Sequence, residues 1–105
     1  MTNYSRGANF ERQVRTDLEN RGWFVIRAAG SHGIVDLVAF PPNPRPTWFI
    51  QCKIRRRISP KERTRLGEIA MSTSCYAILA SRPKRGTIRY ERYFPIPNQW
   101  EEIKP

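Results

Sequence analysis

Histidine, cysteine and acidic residues are all scarce in this 105-residue chain, which has one His, two Cys and nine Asp+Glu. Two cysteines cannot build a disulfide scaffold, and a reduced, cytosolic setting fits them. Cys52, Cys75 and His32 lack the spacing of a zinc site, and both cysteines read as small core hydrophobes. No apolar run approaches the roughly 18–20 residues of a membrane span. The opening MTNYSRGANF has no apolar stretch of the secretory kind. There is no internal repeat and no low-complexity tract. Neither a membrane partner nor an organic cofactor is expected.

What is abundant is positive charge. Nineteen Lys+Arg leave a formal charge of +10 and a pI near 10.6. Such an excess on a small body favours polyanions through phosphate contacts and counterion release. Nucleic acid is the first partner to consider; an anionic membrane surface and a basic protein with no polyanion partner are the alternatives. Hydrophobic residues at 39% and aromatics at 11% exclude a disordered basic tail. The length suits one domain over residues 1–105, with a core at about 5–94 and an irregular tail at 95–105.

Residues 5–21 are expected to form a helix, because Phe10, Val14 and Leu18 recur at i, i+4 and i+8. Gly22 is a suitable left-handed stop. Trp23 to Ile26 reads as a strand, Ala28 to Gly33 as a small-residue loop, and Ile34 to Phe40 as a second strand. Pro41, Pro42, Pro44 and Pro46 stiffen the following turn. Thr47 to Ile54 is a third strand. Ser59 and Glu62 fit a capping box and Pro60 the first helical position, so a second helix is expected over 60–72 with Leu66, Ile69 and Ala70 inward. Cys75 to Ala80 and Thr87 to Phe94 complete the strands around an Arg82–Gly86 turn. Trp23, Phe24, Trp48 and Phe49 read as core or dimer contacts, and Trp100 as an anchor for the tail. The order α-β-β-β-α-β-β implies an α/β fold: a central mixed sheet with a helix on either face.

One carboxylate stands out. Asp36 lies inside the apolar run Ile34-Val35-Asp36-Leu37-Val38, where burial costs several kcal/mol unless something compensates. A cation is a suitable compensator in a basic protein. On the next strand Gln51 and Lys53 share a face, since residues i and i+2 do, while Cys52 points away. A hairpin around the proline turn sets them beside Asp36. Glu11 lies next to the inward stripe of the first helix and can point to the same place. Such a group suits phosphodiester hydrolysis. Asp36, the Gln51 amide oxygen, the Cys52 carbonyl and Glu11 would hold Mg²⁺. Lys53 would orient or deprotonate water, or steady the developing charge.

Glu11 on a first helix, Gly30-Ser31-His32-Gly33 in a loop, Val35-Asp36-Leu37-Val38-Ala39 on a strand and Gln51-Cys52-Lys53 on the next resemble the PD-(D/E)XK nuclease core. Within it the pattern is most similar to the archaeal-type Holliday junction resolvases, viral members included, over about residues 5–80. The resemblance implies a restriction-endonuclease-like fold and a symmetric homodimer that binds four-way junction DNA. Each subunit would cut one strand with Mg²⁺, or Mn²⁺ in its place. The setting would be the cytoplasm, or the host cytoplasm for a viral protein. It also implies metal and water-activating roles for Glu11, Asp36, Gln51 and Lys53, a place for Ser31 near the scissile phosphate, and a DNA contact for Arg6. Two positions depart from the pattern. Val35 stands where the motif's name has Pro, and Gln51 where the family usually has Glu. The second loses a negative charge, so Gln51→Glu is expected to tighten Mg²⁺ binding.

Further phosphate contacts are expected from Arg55-Arg56-Arg57 and Lys61, and from Arg82, Lys84 and Arg85 at a hairpin tip. His32 is either a phosphate contact or an ordinary loop residue. Two other functions stay open at this point: a nuclease of the same core acting on other DNA in repair or restriction, and a non-catalytic DNA-binding module with a decayed site.

Overall fold

The computed structural model of the protein describes residues 3–28 and 34–105, with side chains described from residue 6 onward. Two helices and six strands follow the order α1 (Asn3–Asn20), β1 (Phe24–Arg27), β2 (Leu37–Phe40), β3 (Trp48–Cys52), α2 (Pro60–Ser72), β4 (Tyr76–Ser81), β5 (Arg89–Phe94) and β6 (Gln99–Glu102). The strands form one sheet in chain order. Only β3 and β4 run parallel, joined by the α2 crossover; every other neighbouring pair is antiparallel. The sheet is therefore mixed, as expected.

The apolar stripe of α1 explains its position. Phe10, Val14 and Leu18 are fully buried against Val25, Leu37, Ala39, Trp48, Ile50, Ile78 and Ala80. Asp17 on the same helix accepts a 2.7 Å hydrogen bond from the Tyr90 hydroxyl and so ties α1 to β5. Leu66 of α2 packs with Ala77 and Tyr93 on the opposite face, where Ile69 and Ala70 are half-buried. Alternation along β4 sends Ala77 to α2 and Ile78 to α1.

Both helix ends follow from local chemistry. At the end of α1, Gly22 takes φ +89, its N–H reaches the Glu19 carbonyl, and the Trp23 N–H reaches that of Leu18. These two bonds satisfy carbonyls the helix leaves open. Gly22→Ala has space for its methyl group beside Pro42 but not the backbone conformation. It is expected to lose about 1–2 kcal/mol in chemical denaturation. At the start of α2, the Ser59 hydroxyl accepts from the Glu62 N–H at 3.1 Å, and the Glu62 carboxylate accepts from the Ser59 N–H at 3.0 Å. The expected capping box is present, with Pro60 at the first helical position.

Two expectations need correction. The tail is not irregular: β6 pairs with β5, and Trp100 stacks on Tyr93 with ring centroids 4.6 Å apart. The second strand starts at Leu37, so Asp36 immediately precedes it. Asp36 still joins the ladder, donating from its N–H to Ile50 and accepting at its carbonyl from Ala28. The four aromatics expected as core or dimer contacts divide within that expectation: Trp23 and Trp48 are buried together, Phe49 is half-buried, and Phe24 is 67% exposed and touches Phe40. Cys52 and Cys75 are free and half-buried, and Cys52 packs against the α1-side core as a small core hydrophobe should.

Candidate active site

A cleft of about 640 Å³ opens where β3 ends, between α1 and α2. Gly7 and Glu11 line it from α1, Lys61, Glu62 and Arg65 from α2, and Asp36, Gln51, Cys52 and Lys53 from the sheet. Register explains the convergence. Leu37 pairs with Ile50, so Asp36 lies next to residue 51 on the neighbouring strand. The Cys52 N–H donates to the Asp36 carboxylate at 2.7 Å. Gln51 and Lys53 both turn to the α2 side, as their spacing requires.

Charge is crowded here. Burial pushes the Asp36 carboxyl up to about 6, and the nearby Glu11 and Glu62 act in the same direction; the Cys52 N–H and Lys53 oppose them. Burial also raises the Cys52 thiol well above its usual range, with Asp36 and Glu11 adding to it. Glu11 lines the cleft but sits 3.6 Å from Arg27.

Glu62 is the residue that sequence reasoning placed only as a helix cap. One oxygen serves the cap. The other accepts from Gln51 Nε2 at 2.8 Å and from Lys53 Nζ at 2.8 Å. Partial burial pushes its carboxyl up, but the Lys53, Ser59 and Gln51 hydrogen bonds outweigh this and hold it at about 2. The capping box gave no hint of this second task, since a cap and a site residue carry the same signature.

Among the described residues, no three His, Cys, Asp or Glu side chains converge into a metal cage. The donor set still suits a hard divalent cation. Mg²⁺ is typically held by one or two carboxylates and keeps several waters. Gln51 Oε1 is buried with no hydrogen-bond partner among the described residues. Such an orphaned acceptor is costly in a folded protein, and a cation would satisfy it. Asp36, Gln51 Oε1 and the Cys52 backbone are grouped here on the sheet side, with Glu11 lining the same cleft from α1.

The expected phosphate contacts separate into three groups. Arg6, Arg55, Arg56, Arg82 and Arg85 line a second cleft of about 740 Å³, together with Arg89, which sequence reasoning missed. Both clefts share the first half of α1 and the chain around residues 51–56. Lys61 faces the first cleft, and Arg57 and Lys84 are exposed outside both. Ser31 and His32 lie outside the described residues. Arg56 has a structural task as well: its guanidinium pairs with the mostly buried Glu91 at 2.5 Å and lies over the Trp100 ring. Arg56→Ala leaves Glu91 unpartnered and is expected to cost about 1–3 kcal/mol, read by thermal or chemical unfolding.

A mixed sheet with a helix on each face, and a carboxylate–amide–lysine cleft at the end of β3, define an α/β protein of the restriction-endonuclease-like class. The family model described as archaeal Holliday junction resolvase matches residues 2–96. The chain belongs to the archaeal Holliday junction resolvase family, a family of nucleases. Among solved structures, the Holliday junction resolvase Hjc of the archaeal hyperthermophile Archaeoglobus fulgidus is similar at a TM-score of 0.66 and 29% identity. The match covers 80% of this chain and 74% of that one. No curated protein matches the sequence. No helix among the described residues is long and apolar enough to cross a membrane.

Proposed function

We propose that this protein is a divalent-metal-dependent endonuclease that resolves four-way DNA junctions, with the cleft around Asp36 as its cutting site. The observation that carries this reading is the Gln51 Oε1 buried beside Asp36 with no partner among the described residues, inside a basic protein of a junction-resolving family. Asp36, Gln51 Oε1, Glu11 and the Cys52 carbonyl would hold the ion. Mg²⁺, or Mn²⁺ in its place, supplies Lewis acidity to a phosphodiester when bound.

The chain's own groups supply the rest. The Cys52 N–H holds the Asp36 carboxylate in place. Lys53, on the same wall, orients the attacking water and steadies the charge that develops on phosphorus. Ser31 would serve near the scissile phosphate, as the resemblance implies, and His32 would add a phosphate contact. Arg6 and the Arg55, Arg56, Arg82 and Arg85 cleft take flanking phosphates, Lys61 takes one from the Asp36 cleft, and the exposed Arg57 and Lys84 add charge outside both. A junction needs two matched incisions, which a two-fold homodimer provides.

The test is incubation with a synthetic four-way junction and a matched linear duplex, with and without Mg²⁺. Paired symmetric nicks on the junction alone, only with Mg²⁺, are expected. Equal cutting of both would favour a nuclease for other DNA, and binding with no cutting a decayed module. The arginine cleft makes a separate prediction. Arg55→Ala with Arg85→Ala should weaken junction binding and flatten its log–log salt dependence by roughly 2, about 0.9 for each phosphate no longer neutralised. An unchanged slope would place the DNA elsewhere.

A further inference from the structure

Gln51 is neutral where the resemblance leads one to expect a carboxylate, and the structure shows what stands next to it. Glu62 comes from a different element, the first turn of α2, yet reaches Gln51 Nε2 and Lys53 Nζ with a single oxygen, at 2.8 Å each. Its other oxygen is fixed by the Ser59 N–H. The carboxylate is therefore held at both ends before any ligand arrives.

This has a directional consequence for Gln51. An amide has one donor end and one acceptor end. Glu62 can accept only from the NH₂ end, so the oxygen must face elsewhere. That oxygen is the buried acceptor with no partner among the described residues. The flipped amide would set two acceptors against each other. A glutamate at position 51 would do the same with full charges, which accounts for the amide there. The negative charge missing from residue 51 thus stands one side chain further out.

We infer that Glu62 is a positioning residue for the metal site: it turns the Gln51 oxygen into the cleft and supplies the negative charge that Gln51 lacks. Gln51 and Glu62 act as one unit, with the carboxylate behind the amide. The inference rests on the metal-dependent reading above. It also revises the expectation for Gln51→Glu, which should tighten metal binding only when Glu62 is neutralised at the same time.

The test needs no DNA and no cleavage. Mn²⁺ binding is measured by titration calorimetry on the wild-type protein, on Glu62→Gln and on the swap Gln51→Glu/Glu62→Gln. Glutamine at this helix position still closes a capping box, so α2 should persist. Circular dichroism and metal-free melting check this. Glu62→Gln is expected to weaken Mn²⁺ binding by about 10-fold, the lower end for residues that orient metal ligands. The swap is expected to recover most of that loss, and is also read alone: it should bind Mn²⁺ about as well as wild type. A merely structural role for Glu62 would not be rescued by moving the charge. Wild-type affinity in Glu62→Gln, or a swap no stronger than Glu62→Gln, would overturn the role of Glu62. Wild-type protein that binds no Mn²⁺ would overturn the metal reading and this inference with it.

Discussion

Asp36→Asn is expected to lower junction cleavage by roughly 100- to 1,000-fold, the equivalent of several kcal/mol of metal-assisted stabilisation. Junction affinity should be nearly unchanged. The substitution is close to isosteric, and an asparagine oxygen can still accept the Cys52 N–H that now reaches Asp36 at 2.7 Å. Local geometry should therefore survive while the charge is removed. On the proposed reading, affinity comes mostly from phosphate contacts, which that reading assigns mainly to the arginine cleft. Asp36→Ala should abolish cleavage as well. Single-turnover cleavage and junction binding in EDTA, on the same preparations, check both halves. Retained cleavage in either variant would sink the assignment of Asp36. A matching loss of affinity would make Asp36 a folding residue instead.

The second large effect is on stability. Ile50→Ala should lose about 2–5 kcal/mol, the usual range for truncating a large aliphatic in a closed core. Ile50 is fully buried in β3, between β2 and β4, beneath the Phe10–Leu18 stripe of α1. Nothing nearby can collapse into the space without moving a strand. Its carbonyl also accepts from the Asp36 N–H, so the damage reaches the site. Domains of this kind have about 5–15 kcal/mol in all, so this single change removes a large share. Phe24→Ala is the contrast. Phe24 is the larger side chain but is 67% exposed, and its removal should cost within about 1 kcal/mol. Urea denaturation of the two variants compares them directly. A smaller loss for Ile50 than for Phe24 would contradict this description of the core.

Much of the architecture was legible where local signals were strong. The Phe10, Val14, Leu18 stripe, the Gly22 stop and the Ser59-Pro60-Glu62 start each have one dominant cause, and α1 and α2 follow within two residues. The pairing of Asp36 with the Gln51/Lys53 strand was legible too, because the proline turn leaves few ways to connect β2 and β3. β6 was not. Gln99-Trp100-Glu101-Glu102 has one apolar residue, is mostly exposed, and is held by its neighbour β5 rather than by its own pattern. It follows a turn in which Asn98 adopts φ +72.

The site was legible in part for a similar reason. Asp36, Gln51 and Lys53 are close in sequence once the hairpin is drawn. Glu62 enters from a helix whose end is set by Ser59, and its reach across to β3 depends on how α2 lies on the sheet. Arg56 shows the reverse. In the run Arg55-Arg56-Arg57 it looks like its neighbours, but a mostly buried glutamate on β5 claims it. Glu91 sits in Arg89-Tyr90-Glu91-Arg92-Tyr93, where nothing local marks it as buried.

The most direct measurement is a crystal of the protein soaked in Mn²⁺, with anomalous scattering used to locate the ion. A peak is expected in contact with the Asp36 carboxylate and Gln51 Oε1, with Glu62 still behind the amide. A cleavage-competent protein whose ion sits elsewhere, or whose cleft stays empty at saturating Mn²⁺, would contradict a metal-dependent cutting site at Asp36.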